Sequence, residues 1–177
     1  MRSTLTGDVR ADLGDDWNRP LAGRLGLLVL RTLFTQRFQA VLLFRLSQVA
    51  GARWGLLGTI VKWVNGVLTG CDIAWQATIG SGVVFFHPSG VVIGPDATLG
   101  GRCRIMQHVT IGTTGGLSPV VGDDVFIGPG AVIVGGITVG SRSRIGANSV
   151  VLESVPEGAT VSGIPGRVHD GIGGAGT

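Results

Sequence analysis

The chain has 177 residues, 44% hydrophobic and only 14% charged, which is enough apolar material for one globular unit with a buried core. Its net charge of +3 arises in residues 1–70, where nine Arg or Lys face four Asp, whereas residues 71–177 hold five basic against seven acidic groups. The basic residues are interleaved with aliphatics and no nucleic-acid motif accompanies them, which argues against a nucleic-acid partner. Cys71 and Cys103 have neither metal-ligand spacing nor a disulfide-rich setting, which suits a reducing cytoplasm.

In chain order, Met1 to Arg19 lacks the apolar core of a secretion signal. From Leu21 to Leu68 the pattern predicts two or three amphipathic helices, with Arg24, Arg31 and Arg45 near heptad spacing among Leu27, Leu28, Leu30, Leu33, Phe34, Val41, Leu42 and Leu43. Arg37, Arg45, Arg53 and Lys62 interrupt every run before it reaches the roughly 18 apolar residues of a membrane span. Two readings stay open for residues 21–68. The helices pack on the rest of the chain and on neighbouring subunits, or they form a basic amphipathic surface resting on the inner face of an anionic membrane.

From residue 73 onward an apolar residue returns every six positions: Ile73, Ile79, Phe85, Ile93, Leu99, Ile105, Ile111, Val121, Ile127, Ile133, Val139, Ile145 and Val151. Small or β-branched residues follow four places later at Ala77, Val83, Ala97, Cys103, Val109, Ala131 and Ser149. A period of six is neither helical nor strand-like; each unit reads as a short strand plus a turn, three units close one triangular coil, and stacked coils bury an apolar prism. The period breaks twice, by eight residues from Phe85 to Ile93 and by ten from Ile111 to Val121. The first break is assigned to Gly90-Val91-Val92 and the second to a loop around Thr113–Pro119, and such outward loops are where function concentrates. The predicted organisation is a helical segment over 1–70, a mainly β domain of hexapeptide repeats over 71–168 and a flexible Gly-rich tail over 169–177, with His169 solvated.

Asp72 and His87 stand 15 residues apart, three short of a full coil, so stacking could bring them to nearby edges. A carboxylate beside a histidine is what a general base needs, because it fixes the tautomer and stabilises the imidazolium that forms. A surface histidine next to the Pro88-Ser89-Gly90 turn is the plain alternative.

The stretch from Asp72 to Arg167 resembles the hexapeptide-repeat acyltransferases, most closely the serine acetyltransferases and their shorter relatives acting on polysaccharides or natural products. The matching segments are Asp72-Ile73, His87–Gly94, Ile105–Gly112, Ile127–Ala131, Ile145–Val151 and Val161–Val168. The resemblance implies a left-handed parallel β-helix assembled as a homotrimer with active sites between subunits, and an acetyl-CoA-dependent O-acetyltransferase without a metal. It gives His87 the general-base role and Asp72 the orienting role, with the acceptor hydroxyl attacking the thioester directly. Gly112, Thr113, Gly128, Gly130, Gly146 and Ala147 become candidate contacts for the narrow pantetheine arm. Their alternative role is corner packing.

Departures from the family bear on the acceptor. Serine acetyltransferases usually carry Asp before the catalytic His and Arg-His-Pro in the extruded loop, where this chain has Phe86 and Leu117-Ser118-Pro119. Leucine cannot replace the bidentate grip of arginine on a carboxylate. Phe86, His108 and Ser118 are therefore candidate acceptor contacts, and the expected acceptor is a sugar, glycan or specialised-metabolite alcohol, with free serine as the alternative and a non-catalytic β-helix scaffold as the alternative of a different class. A metalloenzyme on the same fold needs three convergent histidines with two close in sequence, a pair that His87, His108 and His169 do not supply.

Overall fold

The computed structural model describes residues 2–18, 20 and 35–169; the first part of the helical stretch predicted over 21–68, with Arg24 and Arg31, and the tail residues 170–177 lie outside them. The repeats form a parallel β-helix. Its first coil is β1 (Asp72–Ile73), β2 (Thr78–Ile79) and β3 (Val84–Phe85), and its second is β4 (Val92–Ile93), β5 (Thr98–Leu99) and β6 (Arg104–Ile105). The third coil is β7 (Thr110–Gly112), β8 (Val120–Val121) and β9 (Phe126–Ile127), and the fourth is β10 (Val132–Val134), β11 (Thr138–Val139) and β12 (Arg144–Ile145). β13 (Val150–Val151) and β14 (Thr160–Ser162) extend two faces, and β15 (Arg167–His169) turns back antiparallel on β14. His169 thus lies on a paired strand, its Nε2 2.8 Å from Ser162 Oγ, rather than in the tail.

Three sheets result: face A with strands β1-β4-β7-β10-β13, face B with β2-β5-β8-β11, and face C with β3-β6-β9-β12-β14-β15. On face A the register stacks Ile73, Ile93, Ile111, Ile133 and Val151 into one buried column. Ala77, Val83, Ala97, Cys103, Val109, Ala131 and Ser149, the second inward set, are buried as well. The six-residue period is therefore the period of burial. Glycine at the corners lets successive coils approach: a Cβ on Gly80 would stand 2.5 Å from the backbone nitrogen of Gly101 in the next coil.

Among the described residues, three α-helices cover the start of the prism: α1 (Arg2–Leu13), followed by a 3-10 helix over Gly14–Asn18, then α2 (Gln36–Arg53) and α3 (Gly55–Thr69). Phe38, Ala40, Val41 and Phe44 of α2 are buried, and the last three join the β-helix core. Arg45 is not part of a basic surface available to a membrane. It is 5% exposed and donates Nε to Asp8 Oδ2 at 2.8 Å, Nη1 to the Ile79 carbonyl at 2.7 Å and Nη2 to the Gly80 carbonyl at 2.5 Å. Asp8 also accepts the Gly82 N–H at 2.7 Å. One buried ion pair thus ties α1, α2 and the first coil together. α3 packs on α2 through Gly51 and Gly58, ends at Gly70 in the left-handed region (φ 73°), and leaves Leu56, Ile60, Trp63 and Val67 exposed. No helix among the described residues is long and apolar enough to cross a membrane.

Candidate active site

The edge joining face C to face A carries most of the candidate residues. Phe85 pairs with Ile105 and Ile93 with Ile111, so two extra residues must fit between them in the first coil. Val91 is buried at the inward position that Val109 takes one coil later, with the Val92 N–H donating to the Val109 carbonyl at 2.8 Å. The insertion therefore falls within Phe86–Ser89, not at Gly90-Val91-Val92, and it includes His87 itself. That places the exposed imidazole on a bulge outside the repeat.

Below the bulge the corner repeats regularly. Gly90 N–H donates to Gly70, His108 N–H to Ser89, Gly130 N–H to Gln107 and Asn148 N–H to Pro129, at 2.8 to 3.0 Å. His108 adopts a left-handed φ of 57° directly beneath Gly90, so it shares the His87 edge, although no hydrogen bond joins the two rings. Gln107 Oε1 beside it is buried without a hydrogen-bond partner. Gly128, Gly130, Gly146 and Ala147 continue the same edge as a track of small residues; a Cβ on Gly128 would meet the Ala147 nitrogen at 2.8 Å.

Asp72 reaches this edge from β1, one rung before Val92. Its Oδ1 lies 2.5 Å from Lys62 Nζ of α3, and no hydrogen bond joins it to His87. Sequence reasoning missed Lys62 as a partner because the contact depends on how α3 docks.

His87 lines a groove of about 690 Å³ with Thr35, Gln36, Arg37, Phe86, Pro88 and Ser89. Arg37 is its second unforeseen feature. Nε donates to Asp12 Oδ1 at 2.8 Å, Nη2 donates to the Asp12 carbonyl at 3.3 Å, and the guanidinium carbon stands 6.0 Å from the centre of the Phe86 ring. One face of Phe86, a candidate acceptor contact, is thus taken by a cation.

The other candidates sit elsewhere in the chain. Gly112 ends β7 and Thr113 opens the second insertion, on the edge between faces A and B. That loop closes on itself: Thr114 and Leu117 exchange backbone hydrogen bonds of 3.0 and 3.2 Å around Gly115 and Gly116, and Thr113 Oγ1 meets Ser118 Oγ at 2.7 Å. Within one chain, Ser118 and Thr113 therefore occupy a different edge from Phe86, His87 and His108. Among the described residues no group of three or more His, Cys, Asp or Glu could hold a metal.

Residues 118–153 match the family model for the bacterial transferase hexapeptide (six repeats). The chain is 39% identical over 173 residues to the serine acetyltransferase of Synechococcus elongatus, covering 95% of this chain and 68% of that protein. Among solved structures it superposes on soybean serine acetyltransferase complexed with serine at a TM-score of 0.81, with 32% identity and coverage of 95% and 69%. It also superposes on a serine acetyltransferase in complex with CoA at 0.80, with 33% identity and coverage of 94% and 68%. With a relative at this identity covered over two thirds of its length and solved structures that superpose over nearly the whole chain, the chain is a member of the hexapeptide-repeat acyltransferases of the serine acetyltransferase family.

Proposed function

We propose that this protein transfers the acetyl group of acetyl-CoA to the hydroxyl of free serine, with His87 as general base. The observation carrying the reading is the His87 bulge above the Gly128, Gly130, Gly146 and Ala147 track, in a chain whose relatives are serine acetyltransferases. His87 removes the hydroxyl proton as the oxygen attacks the thioester carbonyl; the C–S bond then breaks, and the CoA thiolate takes up a proton. Asp72 supports the imidazolium by charge from the same edge. The small residues leave room for the pantetheine arm.

The sugar or glycan acceptor expected from Phe86 and Leu117 is not supported, because the relatives act under the name serine acetyltransferase and the Phe86 ring already carries Arg37. A trimer completes the site in this reading by bringing a neighbour's Thr113–Pro119 loop to the His87 edge. The exposed α3 face suits such a neighbour better than a lipid surface, since its sole charged residue, Lys62, is engaged by Asp72 and a lipid-binding helix needs cations on its polar face.

The test is an acceptor screen that follows free CoA release from acetyl-CoA. Saturable release with L-serine is expected, with little or none from simple sugars. Release with sugars and not with serine would refute the assignment, and no release with any alcohol would favour a non-catalytic scaffold.

A further inference from the structure

We propose that Arg37, presented by the first turn of α2, is a specificity-determining residue that binds the carboxylate of the amino-acid acceptor; this rests on the serine reading above. A zwitterion entering the His87 groove must exchange the hydration of its carboxylate for donors of opposite charge. The extruded loop offers Leu117 where a cation would serve, and in the protomer that loop stands on another edge. Among the described residues lining the groove, Arg37 is the one that carries a formal charge at neutral pH with histidine neutral.

Its surroundings prepare it for an anion. Asp12, 8% exposed, accepts from Nε at 2.8 Å and receives Nη2 through its backbone carbonyl at 3.3 Å, which fixes the plane of the fork. Phe86 lies against the guanidinium at 6.0 Å and limits its rotation. A guanidinium has five N–H donors, and among the described residues Nη1 has no hydrogen-bond partner. The side chain remains 33% exposed, so a small ligand can reach it. Arg37 also stands at the N-terminal end of an 18-residue helix, whose partial positive charge adds to its own. Asp12 is buried too deeply to take the substrate ammonium; its part is to anchor Arg37.

The experiment compares steady-state acetyl transfer to L-serine and to L-serinamide, whose neutral amide replaces the carboxylate, in the full chain and in Arg37→Gln and Arg37→Lys. Calorimetric binding of CoA serves as the check on folding. Loss of one charge-assisted hydrogen bond corresponds to about 10- to 150-fold in kcat/KM. For Arg37→Gln that loss is expected in KM for L-serine, with a much smaller loss for serinamide, whose amide oxygen accepts without charge assistance, and with CoA binding unchanged. Arg37→Lys keeps the charge and the pair with Asp12, and should fall between the two. An unchanged KM for L-serine in either variant overturns the proposal, as does an equal loss on both acceptors, which would mark Arg37 as a structural residue. A wild-type chain that acetylates serinamide or a sugar but not serine overturns the underlying acceptor assignment and this proposal with it.

Discussion

Replacing Arg45 by Met should be among the most damaging single substitutions in the helical segment. The side chain keeps comparable length, but Asp8, 3% exposed, loses the Nε and Nη2 donors at 2.8 and 3.4 Å and, among the described residues, retains only the Gly82 N–H. The Ile79 and Gly80 carbonyls lose their guanidinium donors at the same time. Breaking one side of a buried ion pair costs about 3–5 kcal/mol, because the remaining charge is left uncompensated. Asp8→Asn combined with Arg45→Met removes both charges and should recover a large part of that loss. Urea denaturation of the wild type, both single variants and the double variant forms the cycle. The clamp also seats α1 and α2, which carry Asp12 and Arg37, so Arg45→Met should raise KM for serine. Additive single effects, with coupling near zero, would show that the pair does not hold the helices to the first coil.

Gly80→Ala should destabilise by about 1–3 kcal/mol, because its Cβ would stand 2.5 Å from the Gly101 nitrogen and force two coils apart; an unchanged denaturation midpoint would contradict this. Ser149 Oγ is buried without a partner, so Ser149→Ala should be neutral or stabilising in the same assay. Burial pushes the Cys103 thiol from 9.0 up to about 11, so the folded state holds its proton after the unfolded chain has lost it. Its contribution is constant below about pH 9 and is lost as pH rises from there toward about 11. Stability should fall more steeply over that window in wild type than in Cys103→Ala, and native protein at pH 8 should resist thiol alkylation at this position.

The β-helix was legible because each inward position makes the same demand for an apolar or small side chain, and that demand recurs along the chain at a period the sequence displays. Ile127, Ile133 and Ile145 are fully buried where the period puts them. The insertion carrying His87 was legible in length but not in position, since only the pairing of Val91 with the Val109 level reveals which residues are extra. The helical segment hid most. Arg45 reads as one more charge on a helix face, yet its burial depends on Asp8, 37 residues away. Arg37 beside Phe86 and Lys62 on Asp72 likewise come from helix docking, a non-local outcome without a periodic trace.

Catalysis in the proposed reaction depends most directly on His87. Turnover of His87→Ala with acetyl-CoA and saturating L-serine, measured by CoA release beside the wild type, should fall by roughly 100-fold or more, as expected for loss of a general base. CoA binding measured on the same preparation should be unchanged. Turnover near the wild-type rate in a folded, CoA-binding His87→Ala protein would contradict the central claim.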